Sequence, residues 1–223
     1  MVEWSAVFLT IQLAAVSTVV LFVLGTPLAW WLAQTRHASK PILEAVTAMP
    51  LVLPPTVLGF YLLILMSPNA TLGAFWVSLT GDSLTFSFSG LVIASVVYSL
   101  PFMVQPLQSA FENMGNKPLQ AAASLGAGPL DRFFSVAVPQ CLRGFLTAGV
   151  LTFAHTIGEF GVVLMVGGNI PEQTRVISIA IYENVEVLNY TQAHILSLGL
   201  LVFSFVVLFS VYATNRKFTV RVA

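Results

Sequence analysis

Long uncharged segments alternate with short charged ones along the chain. A helix needs roughly 20 apolar residues to cross a bilayer. Measured against that length, the uncharged segments predict five transmembrane helices, near residues 5–34, 42–66, 86–111, 141–166 and 192–214. We therefore expect an all-α membrane protein in which residues 1–223 form a single domain with a cytoplasmic loop at 112–140.

The basic residues fall almost entirely on one side of this predicted topology. With the N-terminus outside, eight of the nine lysines and arginines lie in the cytoplasm: Arg36, Lys40, Lys117, Arg132, Arg143, Arg216, Lys217 and Arg221. Only Arg175 is then outside. Because cytoplasmic loops are enriched in lysine and arginine, we expect the N-terminus outside and the C-terminus inside.

Composition supports the membrane assignment and removes several classes of function. Apolar residues make up 57% of the chain and charged residues only 8%, with nine basic residues balancing nine acidic ones. A soluble domain has about 25% charged residues. The neutral balance argues against nucleic acid as a partner. The single cysteine excludes a disulfide framework and a cysteine zinc site, and the three histidines lie too far apart to suggest a metal site.

The most informative segment is the cytoplasmic loop 112–140. Asn116 is a good helix N-cap and Pro118 suits a first helical turn, so a helix is predicted to run from there to Leu125. Gly126 ends it in a left-handed conformation. A second short helix begins at Gly128 and Pro129. Its apolar positions follow helical spacing and are Leu130, Phe133, Phe134 and Ala137. The loop is therefore predicted to be a helix–turn–helix that docks into a partner's groove.

The spacing of this loop resembles the "EAA" loop of ABC importer permeases. That motif reads Glu-Ala-Ala, three residues, Gly, nine residues, then Ile-x-Leu-Pro. The matching positions, without a gap, are Gln120, Ala121, Ala122, Gly126, Val136, Val138 and Pro139. Glutamine replaces glutamate, which removes one expected capping or partner contact, and valine replaces isoleucine and leucine. The resemblance implies a coupling loop that contacts an ATPase; the alternative is a plain amphipathic linker.

Two further segments narrow the resemblance to the molybdate permease subfamily, with sulfate permeases as relatives. The first is the proline-rich segment 50–59, PLVLPPTVLG, and the second is AHTIGEFG at 154–161, followed by MVGGNIP at 165–171. The resemblance implies a type I ABC importer transmembrane domain that forms a homodimer in a bacterial inner membrane. It also implies two cytoplasmic ATPase subunits, a periplasmic molybdate-binding protein and molybdate as cargo. Sulfate, thiosulfate and tungstate remain alternative substrates.

The sequence contains no ATP-hydrolysing motif and no catalytic residues of its own. There is no G-x-x-x-x-G-K-[ST] phosphate loop and no H-E-x-x-H motif, so no cofactor or metal is expected and the ATPase is predicted to be a separate chain. An intramembrane enzyme would need a convergent set of nucleophile, base or metal ligands. A secondary carrier or channel would transport without ATP and would not need the cytoplasmic loop.

His155 and Glu159 form the one ionisable pair at membrane depth. They are separated by four residues, a spacing at which helical side chains meet. Because an unpaired carboxylate is costly in a membrane, Glu159 is expected to bond His155 or backbone groups in a structural role. A role in the substrate path is the alternative, although an ionised carboxylate would repel a dianion.

Prolines and polar residues in the spans suggest a gate. Proline removes helical hydrogen bonds, so bends are predicted at Pro50, Pro54, Pro55 and Pro101. The bends either shape a gate or are packing kinks. Candidates to line a path are Thr56, Tyr98, Ser99 and Thr152.

The outer segment 169–191 is predicted to be amphipathic. Ile177, Ile181 and Val185 lie on its apolar face. Its polar side, which offers Glu172, Arg175, Glu183 and Glu186, is a candidate surface for the binding protein. A helix lying on the lipid surface is the alternative.

Overall fold

The computed structural model describes residues 4–217. Arg221, used in the topology prediction, lies outside the described residues, as do the side chains of Arg216 and Lys217. The described residues form helices that are joined by turns and short loops. In chain order the helices are α1 (Trp4–Gln34), α2 (Lys40–Val52), α3 (Pro55–Met66), α4 (Thr71–Thr80), α5 (Phe88–Met114), α6 (Lys117–Ser124), α7 (Pro129–Asp131), a π-helical segment (Arg132–Ala137), α8 (Val138–Gln140), α9 (Leu142–Ile157), α10 (Gly161–Gly167), α11 (Ile177–Glu186) and α12 (Tyr190–Lys217).

Three described helices are long and apolar enough to cross a membrane. They are α1, α5 and the Tyr190–Ser210 part of α12. The number rises to five if each of two bent helix pairs counts as one span. These pairs are α2 with α3, bent by 111°, and Pro129–Gln140 with α9, bent by 75°. The all-helical class is confirmed, whereas the five exact spans and their orientation stay predictions.

Two of the predicted continuous spans are interrupted. The segment 42–66 breaks at Leu53 and Pro54, because Pro54 and Pro55 have no N–H groups to continue the helical ladder. The segment 141–166 breaks between Ile157 and Gly161. The segment between the second and third predicted spans, for which the sequence predicted no helix, contains the short apolar helix α4.

Helices α1, α5 and α9 form the centre of the fold. Leu13 and Leu91 share one buried cluster, while further along both helices Gly25 lies against Met103, so α1 and α5 run in the same direction. Gly144 of α9 lies against Ala110 of α5, and Ser99 contacts Thr156, so α9 runs antiparallel to α5. A Cβ on Gly144 would overlap the Ala110 side chain. The absence of a side chain there lets the two helices approach closely.

The loop between α5 and α9 follows the predicted helix–turn–helix with one difference. Gly126 has a φ of +90°, which confirms the predicted left-handed turn. The residues predicted to form the apolar face of the second helix do not all lie on one face, however. Ala137 is buried and Phe133 packs against the same core, whereas Leu130 and Phe134 are 75% and 65% exposed. Residues 132–137 are π-helical, and the wider π turn changes which side chains share a face.

Candidate functional site

The loop 112–140 is held to the helical core by a small aromatic cluster. The Phe133 ring lies 5.1 Å from that of Trp30 in α1 and 6.3 Å from that of Phe111 in α5, measured between centroids. Leu119 of α6 is buried in the same core. These anchors were not predicted as a set, because Trp30 and Phe111 are far from the loop in sequence.

The side of the loop that faces away from the helical core is exposed. Leu125 is 89% exposed, and Leu130 and Phe134 are also mostly exposed. Of the motif residues, Gln120, Ala121, Gly126 and Pro139 are exposed, and Ala122, Val136 and Val138 are half-buried. The loop therefore presents apolar side chains outward while its inner side chains fix it to α1 and α5.

A second site lies at the end of α9, where Glu159 is buried in a network of hydroxyl groups. The residue is 3% exposed. Ser95 donates a hydrogen bond of 2.5 Å to Oε2, and Ser99 donates one of 2.8 Å to Oε1. The expected partner His155 lies nearby, with 3.7 Å between Nδ1 and Oε1. The spacing of His155 and Glu159 thus brings them together, but serines of α5 supply the hydrogen bonds.

Ser99 connects this carboxylate to two more groups. Its Oγ lies 2.9 Å from Nδ1 of His155 and 3.0 Å from Oγ1 of Thr156. A hydroxyl has one proton and two lone pairs. Since Ser99 donates to Glu159, the proton in each of the other two bonds comes from His155 Nδ1 and from Thr156. While an ionised Glu159 accepts from Ser99, this arrangement has His155 donating from Nδ1 to Ser99.

The same region joins the two helix breaks. A Cβ on Gly161, at the start of α10, would lie 2.8 Å from Cβ of Pro55, at the start of α3. One turn along, a Cβ on Gly59 would lie 2.7 Å from Cβ of Met165. In addition, Ser178 of α11 donates a hydrogen bond of 2.5 Å to the backbone carbonyl of Glu159. The two motif segments that are distant in sequence are thus in direct contact.

The predicted gate and path residues do not form one group. Pro54 and Thr56 are exposed at the first break, whereas Pro101 and Thr152 are fully buried. Helix α5 runs unbroken through Pro101, and α2 contains Pro50 without ending there. The bends predicted at Pro54 and Pro55 are present as the break before α3.

The segment 169–191, predicted to lie outside, contains α11, and its polar side chains are partly paired within the chain. Arg175 lies 3.2 Å from Glu183, between Nη1 and Oε2. Ile177 is buried and Ile181 packs against the same cluster, while Val185 is 42% exposed. Among the described residues, no group of three or more His, Cys, Asp or Glu side chains is placed to hold a metal ion.

Comparisons with known proteins agree with this architecture. The family described as "Binding-protein-dependent transport system inner membrane component" matches residues 22–220. The molybdenum transport system permease protein of Azotobacter vinelandii is 56% identical over 214 residues, which cover 96% of this chain and 95% of that protein. The corresponding protein of Escherichia coli K12 is 37% identical, covering 81% and 79%. A probable sulfate transport system permease of Nephroselmis olivacea is 30% identical, covering 97% and 77%.

Solved structures share the fold at low sequence identity. An inward-facing methionine ABC transporter aligns with a TM-score of 0.73 at 19% identity, covering 97% of this chain and 95% of that one. A bacterial alginate ABC transporter, in complex with its pentasaccharide-bound periplasmic protein, aligns with a TM-score of 0.76 at 14% identity, covering 97% and 79%. The helix order, the exposed loop and the family match across residues 22–220 lead to one conclusion: this chain belongs to the family of binding-protein-dependent transport system inner membrane components.

Proposed function

We propose that this chain is the permease subunit of an ATP-driven importer for molybdate. The observation that supports this most directly is the 56% identity, over 96% of the chain, with a molybdenum transport permease. A sulfate transport permease matches a similar share of the chain at only 30% identity, so sulfate or thiosulfate is the second candidate. Tungstate, an oxyanion of the same shape and charge, is the third.

The assembly that follows has two copies of this chain in a bacterial inner membrane. Two cytoplasmic ATPase subunits lie on one side and a periplasmic molybdate-binding protein on the other. The exposed apolar side chains of α3, among them Phe60, Tyr61 and Leu65, are available for a second copy. The ATPase, which is a separate chain, hydrolyses ATP, and the permease forms the path along which the oxyanion crosses the membrane.

The loop 112–140 transmits the motion of the ATPase in this proposal. Leu125, Leu130 and Phe134 face outward toward the ATPase, while Phe133 and Leu119 join the loop to α1 and α5. When ATP closes the ATPase dimer, the loop moves the helices around the dimer axis and opens the path outward. Hydrolysis returns it to the inward-open state.

The test is to purify the permease with its ATPase in nanodiscs and to measure ATP hydrolysis with a loaded binding protein. Stimulation by the molybdate-loaded protein, with none by the sulfate-loaded protein, is the expected result. Stimulation by sulfate would retain the importer and change its substrate. Failure to assemble with any ATPase, together with transport in its absence, would instead indicate a carrier or channel.

A further inference from the structure

A polar cavity lies between the end of α1 and the two arms of the loop 112–140, where the first arm is α6 and the second is the segment 129–140. Its volume is about 340 Å³. The polar residues of its lining are Gln34 of α1, Asn116 and Gln120 of the first arm, and Arg132 of the second. A group bound in this cavity would therefore contact α1 and both arms of the loop at once.

The polar side chains of the cavity are hardly used within the chain. Those of Gln34, Asn116 and Gln120 form no hydrogen bond with another described residue. Arg132 makes one long contact, from Nε to the backbone carbonyl of Gly128 at 3.4 Å. A guanidinium group has five N–H donors, so most of the hydrogen-bonding capacity of the cavity is available to a partner.

The cavity carries a positive charge. Arg132 is the one charged residue among its described lining residues. Asp131, next to it in sequence, is not part of the lining, and its carboxylate accepts a hydrogen bond of 2.6 Å from Ser135. Because a guanidinium group pairs best with planar anions such as carboxylates, the cavity fits an anionic group.

The residue at position 120 leaves this charge available. The EAA motif has glutamate there, and a glutamate would place a carboxylate in the same cavity as Arg132. Glutamine has the same length and no charge, so Arg132 keeps its charge for a group from outside the chain. The departure from the motif and the positive cavity therefore point to the same kind of partner.

From this cavity we infer that Arg132 and Gln120 receive a carboxylate side chain of the ATPase. Leu125 and Leu130 of the same loop are exposed, and the proposed function places them against the ATPase. An acidic side chain that enters from that surface would pair with Arg132 and reach Gln34 at the end of α1. The ATPase would then be joined to α1 directly as well as through the loop. This inference rests on the proposed function and adds the chemistry of the contact.

Two substitutions in the cavity and one outside it test the inference. Gln120→Glu restores the residue of the motif, yet we expect it to raise the Kd of the ATPase about tenfold, because its carboxylate pairs with Arg132 and repels the incoming one. Arg132→Gln should raise the Kd by a similar factor, because it removes the charge. Gln140→Glu makes the same chemical change at an exposed position of the same loop that is not in the cavity lining, and its Kd should equal that of the wild type.

The Kd is measured by titrating the ATPase onto the permease in nanodiscs of neutral lipid, in buffer without phosphate. Neither an anionic headgroup nor free phosphate can then occupy the cavity. Because salt screens charge pairs, a higher ionic strength should weaken binding to the wild type more than binding to Arg132→Gln. The partner residue is identified by charge exchange: replacing one acidic residue of the ATPase by lysine should restore binding to Arg132→Glu.

The outcomes separate this inference from the proposed function. Tighter binding of the ATPase to Gln120→Glu would overturn the inference, because the ATPase would then supply a cation. A wild-type Kd for Arg132→Gln, an equal loss for Gln140→Glu, or the absence of any restoring ATPase residue would also overturn it. Thermal unfolding of each variant checks its folding, and if Arg132→Gln is less stable, Gln120→Glu decides alone. If the wild-type permease binds no ATPase, the proposed function fails instead.

Discussion

Two adjacent phenylalanines of the loop 112–140 allow the surface that faces the core and the exposed surface to be tested separately. Phe133 packs against Trp30 and Phe111, while Phe134 is 65% exposed. We predict that Phe133→Ala destabilises the permease itself and that Phe134→Ala weakens its binding to the ATPase. The same chemical change at neighbouring positions therefore gives two different defects.

The magnitudes follow from the burial of each ring. Removing a buried phenylalanine side chain costs about 3–5 kcal/mol. Because Phe133 is only partly buried, we expect a loss near the lower end, about 3 kcal/mol. An exposed side chain contributes within about 0.5 kcal/mol to folding, so Phe134→Ala should leave stability unchanged. For binding, we expect Phe134→Ala to cost about 1.4 kcal/mol, as truncation of an aromatic anchor residue of an interface does, which corresponds to a Kd about ten times higher.

Both quantities are measurable on the same preparations. Thermal unfolding of the isolated permease in detergent reports the first, and titration of the ATPase onto permease in nanodiscs reports the second. The reasoning would be refuted if Phe134→Ala unfolded at a clearly lower temperature than the wild type. It would also be refuted if both variants bound the ATPase as tightly as the wild type.

Three further substitutions test the packing, each with a matched control and with thermal unfolding as the measurement. Gly161→Ala should lower the free energy of unfolding by about 1–3 kcal/mol, because the new methyl group overpacks against Pro55. Gly158→Ala should lower it less, because the nearest neighbour of its methyl group would be 3.6 Å away. Equal losses of stability in the two variants would contradict this. Gly126→Ala should lower the free energy of unfolding by about 1–2 kcal/mol, because φ is +90° at this residue. Gly128→Ala, which has open space around it, should leave the free energy of unfolding unchanged. Thr152→Val should stabilise the chain by about 1 kcal/mol, because its buried hydroxyl has no hydrogen-bond partner among the described residues. Thr156→Val should instead destabilise the chain, because it removes the hydrogen bond to Ser99.

Local patterns in the sequence were sufficient for features that depend on near neighbours. The uncharged segments predicted helices because apolar length alone identifies a span. The turn at Gly126 followed from its position after an alanine-rich helix, and the closeness of His155 and Glu159 followed from their spacing. Each of these features is decided within a few residues of chain, so no tertiary information was needed.

The missed features depend on tertiary contacts. Ser95 precedes Glu159 by 64 positions, and no periodicity links them. The π-helical segment at 132–137 contains Phe133, which packs against α1 and α5, and the local sequence reveals neither feature. The break before Gly161 was missed because the segment is apolar on both sides of it, and hydropathy reports length rather than continuity.

The placement of Glu159 explains how a carboxylate can occur in such an apolar chain. It lies where a helix is already broken, so its backbone carbonyl needs an outside donor, which Ser178 supplies. Its side chain is satisfied by Ser95 and Ser99 from α5. One residue thus connects α5, the break after α9, and α11, and removing its charge would weaken the hydrogen bonds of two hydroxyl groups, those of Ser95 and Ser99. Buried polar groups of this kind cost least when fully bonded, which accounts for the clustering of serine, threonine and histidine around a single glutamate.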